Sequence, residues 1–396
     1  MSAYNIMDFG AVTDGKTKNT EAIQKAIDAC HQAGGGTVLC GPGSFVTGSL
    51  ELKSNVELHL AAGCKIIGSK CLDDYHEFVA PGYLGTGDKA PEKSTQSLVR
   101  AIEAENIAIT GPGEINGSGL AFYDLSKTDT NGHLYKPPTP RPRILMFYKC
   151  RQVRLQDTSF IDSPCWTIWL MKCRDVNIHR VKIRGDRRMC NIDGIDIDSC
   201  RNVTISDSFF ETEDDCLAIR AMQDMYDSPA VCENITVNNC VLESRCNGIR
   251  VGCPGDGVIR NCAFSNLVIH NSLNNGIIFE YPKRYLPKDN RTPVDVHDIL
   301  FANVVIDCAR WPIKIVVEPG IKLPRLAGLS FSNFRIKSGG PCLVQGSPET
   351  TIRNVSFSNM EIETSGDDAV VCRHCQGVKF ANVELSNRPE IFPNVK

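Results

Sequence analysis

The stretch Cys200-Arg-Asn-Val-Thr-Ile-Ser206 predicts the fold, because close copies of it recur along the chain. Each copy opens with a cysteine, continues through two polar residues and then alternates apolar with polar side chains. Other copies begin at Cys150, Cys173, Cys232 and Cys375, and the first three gaps are 23, 27 and 32 residues. Alternation of this kind is typical of a short β-strand. The repeating unit is therefore a β unit rather than a helical hairpin.

Related phrases without the cysteine extend the repeat through much of the chain. They occur at Asn106–Thr110, Asp298–Ala302, Gly328–Ser332 and Asn354–Ser358. One such unit cannot bury its own apolar side chains, whereas stacked units share a continuous core. The pattern predicts an all-β fold, a right-handed parallel β-helix of about ten coils that starts near Val56, with coils ~4.8 Å apart. The recurring cysteines would then stack as an internal ladder.

The first 50 residues are predicted to form a cap and the first strands. Residues Ala22, Ile23, Ala26, Ile27 and Cys30 recur at helical spacing, and a run of three glycines at 34–36 ends the pattern. A helix at this place would cover the open strand edges of the first coil. Because each coil shares its core with its neighbours, residues 1–396 are predicted to form a single β-helix domain.

Composition excludes several classes of function. The 396 residues include 43 Lys and Arg against 46 Asp and Glu, a net charge of −3, so the basic excess of a nucleic-acid binder is missing. No apolar run approaches the ~18 residues of a membrane span. The first residues lack the pattern of a signal peptide, which leads us to expect a cytoplasmic protein. The 19 cysteines are expected to be reduced thiols.

One pair of cysteines has the C-x-x-C spacing of metal and redox motifs, Cys372 and Cys375. A zinc site of this kind needs a second pair at suitable spacing, and the sequence has none. Cys375 also opens a copy of the repeat. The pair is therefore interpreted as part of the internal ladder, and no metal is predicted.

A second phrase aligns neighbouring coils on a cluster of acids. Equivalent strands begin at Gly194, Cys216, Gly248 and Gly276, and the residues directly before them are Asp193, Asp215, Asn247 and Asn275. The alignment predicts Asp193 and Asp215 on adjacent coils, with Asp214 beside them. Crowded carboxylates raise one another's affinity for protons, which folding alone does not require. Two acids that differ in protonation are what glycosidic cleavage needs.

At these residues the sequence resembles glycoside hydrolase family 28, the polygalacturonases. The resemblance is carried by Asn191-Ile-Asp193 and by Glu213-Asp214-Asp215-Cys216. The segments Arg141–Phe147 and Ser163–Ile168 are also similar to phrases of this family. The segment Asp8–Ala11 resembles the wider pectin-enzyme β-helix superfamily. The resemblance implies Asp214 as the general acid, Asp193 and Asp215 as the groups that hold and deprotonate water, and Asn191 as a residue that orients them. It also implies inversion at the anomeric carbon and no metal or other cofactor.

Two motifs depart from the family pattern. Where the family has Gly-His-Gly, this chain has Cys246-Asn247-Gly248, and where the family has Arg-x-Lys, it has Ile278-Phe279-Glu280. Arg250 is predicted to stack on Ile278 and could replace the missing cation. The candidate substrate-binding residues are therefore Asn191, Asn247, Arg250, Glu280, Lys283 and Arg284.

The acid cluster and the resemblance together lead us to expect an inverting glycosidase that cleaves from the chain ends of α-linked pectin-derived oligosaccharides of galacturonate or rhamnogalacturonan type. Two alternatives stay open. A polysaccharide lyase on uronides would use Ca²⁺ and a basic residue, for which Arg220 or Arg250 could serve. A β-helix that binds carbohydrate without catalysis would explain the missing histidine. The expected partner is an oligosaccharide or polysaccharide, without nucleic acid or membrane, and the sequence carries no prediction of oligomeric state.

Overall fold

The chain folds mostly into parallel β-strands, stacked as in a parallel β-helix, with one α-helix near the N-terminus. This confirms the predicted fold class. The computed structural model describes residues 3–85, 95–135, 140–285, 294–365 and 367–387. It divides into two compact units, one of Met1–Asp196 with Cys200–Glu213 and one of Ile197–Ser199 with Asp214–Lys396. The single domain stays a prediction.

The first unit contains the helix and the early strands. Helix α1 is Thr20–Gln32, and short 3₁₀ turns span Ile6–Phe9, Leu72–Asp74 and Gly119–Phe122. The strands are β1 Ala3–Asn5, β2 Asp14–Lys18, β3 Gly36–Cys40, β4 Gly43–Thr47, β5 Leu50–Glu51, β6 Val56–Leu60, β7 Cys64–Gly68, β8 Ser97–Ile102, β9 Glu105–Thr110, β10 Glu114–Asn116, β11 Asp124–Thr128, β12 Leu134–Tyr135, β13 Arg143–Tyr148, β14 Arg151–Gln156, β15 Ser159–Ile161, β16 Ile168–Met171, β17 Arg174–His179, β18 Lys182–Arg184, β20 Arg201–Ser206 and β21 Phe209–Thr212. The boundary between the units falls within β19, Ile195–Asp198.

Three stacks of parallel strands build the first unit. One runs β1-β3-β6-β9-β14-β17-β20. The second runs β2-β4-β7-β10-β15-β18-β21 and the third β5-β8-β13-β16. Coils therefore begin at Ala3, well before Val56, where the repeat was predicted to start. The first strands were predicted within residues 1–50, but their membership in the stacked coils was not, because they lack the recurring phrase.

Helix α1 covers the beginning of the first unit, as the sequence predicted. Its apolar face, which includes Ile23, Ala26, Ile27 and Cys30, is fully buried, and the helix packs against β1, β3, β5 and β6. The helix ends where Gly34 adopts a φ of +93°, a left-handed conformation that glycine takes without strain.

The predicted cysteine ladder exists in the first unit. Cys150, Cys173 and Cys200 are buried directly before β14, β17 and β20. The thiol of Cys173 donates to the carbonyl oxygen of Phe147 at 3.4 Å. Burial, together with contact between neighbouring thiols, raises the pKa of Cys173 well above its ordinary value. These cysteines are therefore protonated structural groups of the core.

The second unit has longer strands. They are β22 Leu217–Arg220, β23 Val231–Asn238, β24 Val241–Ser244, β25 Asn247–Val251, β26 Val258–Ser272, β27 Asn275–Tyr281, β28 Asp295–Cys308, β29 Ile313–Val317, β30 Leu326–Ser338, β31 Cys342–Gln345, β32 Ile352–Thr364, β33 Val370–Arg373, β34 Cys375–Gln376 and β35 Lys379–Asn387, with 3₁₀ turns at Gln223–Met225 and Lys283–Tyr285. One stack runs β22-β25-β27-β29-β31-β33. In the other, β23 and β24 both pair with β26, which is followed by β28, β30, β32 and then β34 with β35.

Two ladders hold the long strands of the second unit in register. Inside, the rings of Phe264, Phe301, Phe331, Phe357 and Phe380 stack with centroid separations of 4.5 to 5.5 Å. Outside, side-chain amides of consecutive coils bond to one another at 2.9 to 3.2 Å in a series of asparagines with positive φ, Asn239, Asn266, Asn303, Asn333, Asn359 and Asn382. Asparagine tolerates this left-handed conformation better than other side chains with a Cβ atom.

The cysteine column changes composition in the second unit. Cys232 is followed in register by Ile259 and Val296, and Cys375 lies opposite Ile352. The prediction of a continuous cysteine ladder is wrong here, because apolar side chains of similar size fill the same inward position. Within the described ranges, no helix is long and apolar enough to cross a membrane.

Candidate active site

The aspartate doublet lies in the second unit, separated from β22 by Cys216 alone. The side chain of Asp215 is buried, and that of Asp214 is half-buried. The backbone N–H of Asp215 donates to Oδ1 of Asp214 at 3.1 Å, and the hydroxyl of Ser244 donates to the carbonyl oxygen of Asp214 at 2.6 Å. These bonds fix the doublet against the following coil, with Asp214 as the more accessible carboxylate.

Both carboxylate oxygens of Asp215 accept hydrogen bonds from β25. Nδ2 of Asn247 donates to Oδ1 at 2.7 Å, and Nε of Arg250 donates to Oδ2 at 2.5 Å. Nδ2 of Asn275 in turn donates to Oδ1 of Asn247 at 2.6 Å. Asn247 and Asn275 are the first residues of β25 and β27 and pair in register, so their buried amides stack. Asn247 thus occupies the position where the family pattern has a histidine, and the side-chain amide of Asn275 is hydrogen-bonded to it.

Replacement of Asn247 by alanine should destabilise the fold. It removes the donor to a buried carboxylate and also the acceptor of Asn275, and an unsatisfied buried polar group costs about 1–3 kcal/mol. We expect a loss of that size in the free energy of unfolding, measured by urea titration. Asn333→Ala, in the exposed asparagine ladder, is the matched control and should cost less. An equal cost for both would show that the buried relay has no special role in stability.

Arg250 was predicted to contact the substrate, and the structure gives it an internal partner. Its side chain is 12% exposed, against 2% for that of Asp215. Burial is the largest single influence and opposes the charge of Arg250, but the neighbouring anionic groups, Asp215 first among them, together outweigh it and hold the pKa of the guanidinium well above its ordinary value. Arg250 is therefore a charged group that positions Asp215. Its contact with a substrate stays a prediction.

A lysine and a tryptophan that the sequence analysis did not select lie further along the same column. Arg250, Ile278 and Lys314 follow one another in register on β25, β27 and β29. The ammonium of Lys314 lies 4.8 Å from the ring centroid of Trp311 and 2.7 Å from Oε1 of Glu280. Both residues are partly exposed. The signal that could have found them is the continuation of the predicted Arg250–Ile278 column by one coil.

The remaining predicted basic residues lie at the surface. Arg284 lies 3.9 Å from Glu280, and its side chain is 66% exposed. Lys283 is exposed, and its backbone N–H donates to Glu318 at 2.7 Å. Glu280 therefore faces two cations, of which Lys314 is the closer. The charge at the family's lysine position is reversed, but a lysine from the next coil lies beside it.

Asp193 and Asn191 belong to the first unit. Asp193 is buried two residues before the start of β19, and its carbonyl oxygen accepts from the N–H of Thr167 at 2.9 Å. Asn191 has a φ of +61°, donates its N–H to Glu213 at 2.8 Å and accepts from Arg141 at 3.1 Å. The roles of Asp193 as a partner of the doublet and of Asn191 in orienting it stay predictions.

A histidine that the sequence analysis overlooked contacts Glu213, the residue before the doublet. Nε2 of His133 lies 2.9 Å from Oε1 of Glu213, and its Nδ1 lies 3.2 Å from Oδ2 of Asp129. His133 lies in an antiparallel hairpin formed by β11 and β12, and residues 136–139 after it lie outside the described ranges. His133 precedes β12 and ties this hairpin to Glu213.

The His133–Glu213 contact should make stability depend on pH. The hydrogen bond and the charge of Glu213 raise the pKa of His133 despite its partial burial. A raised pKa means that the stabilisation is complete below the unfolded value of about 6.5 and is lost as pH rises through the folded value. His133→Ala should therefore lower the free energy of unfolding by about 1 kcal/mol at pH 6 and by less at pH 9. The exposed His76→Ala is the control, and a pH-independent cost of His133→Ala would contradict the assignment.

Among the described residues, Asp214, Asp215 and Cys246 form a group with the donor types of a metal site. One ligand atom of each lies within 4.8 Å of the others. Both oxygens of Asp215 already accept hydrogen bonds, and Asn247 donates to the sulfur of Cys246 at 3.1 Å. A cation would therefore have to compete with these donors, and the chelation experiment below addresses it.

Comparison with known proteins places this site in a family. The sequence profile of the glycosyl hydrolases of family 28 matches residues 67–226, and that of the rhamnogalacturonase A/epimerase, pectate lyase-like group matches residues 3–73. A probable polygalacturonase of Vitis vinifera is 29% identical over 56% of this chain and 45% of its own length. An endo-polygalacturonase of Pectobacterium parmentieri is 25% identical over 86% of this chain and 84% of its own.

The fold is shared with a solved structure over almost the whole chain. The exopolygalacturonase from Thermotoga maritima superposes with a TM-score of 0.82, at 24% identity, over 97% of this chain and 91% of that one. The matched family profile includes Asn191, Asp193 and the doublet Asp214-Asp215, the residues that carried the resemblance. Residues 67–226, which include the doublet, therefore match glycoside hydrolase family 28, the family of the polygalacturonases, and residues 3–73 match the pectate lyase-like group.

Proposed function

We propose that the protein hydrolyses an α-glycosidic bond in pectin-derived oligosaccharides of galacturonate or rhamnogalacturonan type, from the chain end and with inversion. The observation that carries the proposal is the unequal environment of the doublet. Asp215 is buried and accepts bonds from Asn247 and Arg250, whereas Asp214 is half-buried and adjacent. Two neighbouring carboxylates in different surroundings are suited to the two roles of glycoside hydrolysis.

In this proposal Asp214 protonates the leaving oxygen, and Asp215 accepts a proton from the attacking water. The guanidinium of Arg250 stabilises the ionised carboxylate of Asp215, because charge-assisted hydrogen bonds favour the charged form. The amide of Asn247 fixes the orientation of the same carboxylate, and Asn275 fixes Asn247. Asp193 is the predicted second carboxylate at the water.

The pectic substrate class is supported by the family and by one feature of the second unit. The partly exposed ring of Trp311 offers an apolar face of the kind on which sugar rings pack, and Lys314 beside it is a cation for a uronide carboxylate. Glu280 accepts from Lys314 at 2.7 Å and would have to share it with the substrate. Of the two relatives named above, the Pectobacterium protein is an endo-polygalacturonase and the Thermotoga protein an exopolygalacturonase. The comparisons therefore do not distinguish the two modes of action, and cleavage from the chain end is part of our proposal.

Digestion of defined oligogalacturonides tests the reaction class. The proposal predicts new reducing ends without the ultraviolet absorbance of an unsaturated uronide, and shortening by one sugar at a time rather than a mixture of sizes. Absorbance of an unsaturated product would support the lyase instead. Binding without product would support the non-catalytic alternative, and release of mixed sizes would replace the exo assignment by an endo one.

Activity should survive EDTA. The proposed steps use carboxylates that act directly on a proton and on water, so chelation removes nothing that they need. Turnover is measured before and after exhaustive dialysis against the chelator. Loss of activity that added Ca²⁺ restores would favour the lyase, which needs the cation.

A further inference from the structure

The C-x-x-C pair of the second unit has an arrangement that a purely structural ladder does not require. Cys372 lies in β33 and Cys375 in β34, and His374 between them turns the chain with a φ of +50°. Cys372 pairs in register with Val344, and Cys375 pairs with Ile352. Val344 and Ile352 are fully buried. Both cysteines therefore occupy inward positions, on either side of one corner of the coil.

The corner is held firmly by the preceding coil. The N–H of Gly346 donates to the carbonyl oxygen of Arg373 at 2.9 Å, and the N–H of Ile352 donates to that of His374 at 3.1 Å. The sulfur of Cys375 lies 3.1 Å from the carbonyl oxygen of Arg373. Backbone hydrogen bonds on both sides of the turn fix the two cysteines relative to one another.

The pair is also accessible. Cys372 is exposed and Cys375 half-buried, although the residues they pair with are buried. The physical reason is that, in the described part of the chain, no further strand pairs with β33 beyond its bond to β31. Inward side chains of this coil, such as those of Cys372 and Cys375, are consequently exposed to solvent rather than packed against a further coil.

The two thiols differ in acidity in the way that thiol–disulfide exchange requires. The hydrogen bond from Cys372, with smaller contributions from the backbone of Gly346 and Arg373, outweighs burial and lowers the pKa of Cys375 to about 7. The same contact raises the pKa of Cys372 well above its ordinary value. Near neutral pH, Cys375 is thus partly a thiolate with a protonated thiol beside it. A thiolate is the reactive nucleophile, and a neighbouring thiol can resolve the mixed disulfide that it forms.

We propose that Cys372 and Cys375 form a thiol–disulfide exchange site that reacts with low-molecular-weight disulfides of the glutathione type. The thiolate of Cys375 attacks one sulfur of the disulfide, the S–S bond breaks and one glutathione leaves as a thiolate. Cys372 then loses its proton to solvent and attacks the sulfur of Cys375, and the second glutathione leaves. Two protein thiols are oxidised to one disulfide, and one external disulfide is reduced to two thiols. The site is independent of the proposed glycosidase activity.

The site is tested by exposing the full-length, reduced protein to oxidised glutathione, digesting it with trypsin and measuring the peptides by mass spectrometry. Trypsin cleaves after Arg373, so that Cys372 lies in the peptide 354–373 and Cys375 in the peptide 374–379. After remaining thiols are blocked with N-ethylmaleimide, we expect these two peptides to be joined by a disulfide in most molecules. Reducing agent should separate them again.

Matched variants separate this site from general thiol reactivity. In Cys372→Ser the reaction should stop at a mixed disulfide, with one glutathione on the peptide 374–379. In Cys375→Ser, Cys372 should stay mostly unmodified. Cys71, an exposed cysteine of the first unit, serves as the internal control and should react less than Cys375. Full labelling of both cysteines by N-ethylmaleimide in the wild type, or a Cys71 adduct as abundant as that on Cys375, would overturn the proposal.

Discussion

Asp214→Asn should lower kcat by ~10² or more, because an asparagine has the shape of the carboxylate but no proton to give to the leaving oxygen. The fold should survive, since the backbone oxygen of Asp214, which accepts from Ser244, is unchanged. The measurement is the turnover of an oligosaccharide whose leaving group is a poor one, together with the unfolding curve of the variant.

A second aspartate doublet in the same unit provides the control for this substitution. Asp367 and Asp368 are both exposed. Asp368→Asn should leave kcat unchanged. If Asp214→Asn kept more than a tenth of wild-type turnover, Asp214 would not be the general acid.

Arg250→Ala should damage stability and turnover together. Breaking a buried ion pair by removing one partner costs about 3–5 kcal/mol, because the remaining charge is left uncompensated. Asp215 would keep the bond from Asn247 but lose its charged donor. We expect a loss of that size in the free energy of unfolding, and a lower kcat for uronide and neutral substrates alike.

Two comparisons make the Arg250 result specific. Arg335→Ala removes an exposed pair with Glu361 at 3.4 Å in the same unit and should cost only about 0–1 kcal/mol. Arg250→Lys keeps the charge but loses the planar donor group, and should show an intermediate loss. If Arg250→Ala instead raised KM for uronides alone and left stability unchanged, Arg250 would be a substrate contact, as the sequence suggested.

The fold was predictable because the coils of a β-helix repeat the same inward positions. The spacing of Cys150, Cys173 and Cys200 already gives the length of one coil. The prediction was less successful where the inward residue changes, as at Ile259 and Val296, because any apolar side chain of similar size fills the position. First strands were predicted within residues 1–50, but the strands at Ala3 and Gly36 lack the recurring phrase, so their membership in the stacked coils was not predicted. The single domain and the cytoplasmic location stay predictions.

The site was predictable where its residues come from strands in register. Aligned phrases brought Asp215, Asn247 and Asn275 together in the sequence, and hydrogen bonds of 2.6 and 2.7 Å join them in the structure. Lys314 could have been found in the same way, one coil beyond Ile278. The contact of His133 with Glu213 could not, because it depends on how a hairpin returns to the strands, and the repeat carries no information on the length of that hairpin.

The anomeric configuration of the first product shows whether the proposed hydrolysis inverts the anomeric carbon. The nearest ligand atoms of Asp214 and Asp215 lie within 4.8 Å, closer than the ~6.5–9.5 Å usual between the two carboxyl groups of inverting enzymes. The predicted role of Asp193, a further carboxylate at the water, is what keeps inversion as our expectation. Proton NMR, recorded during the first minutes of cleavage of an α-linked oligogalacturonide, distinguishes the outcomes. We expect the β-anomer of the new reducing end to appear first, and initial formation of the α-anomer would exclude an inverting hydrolase.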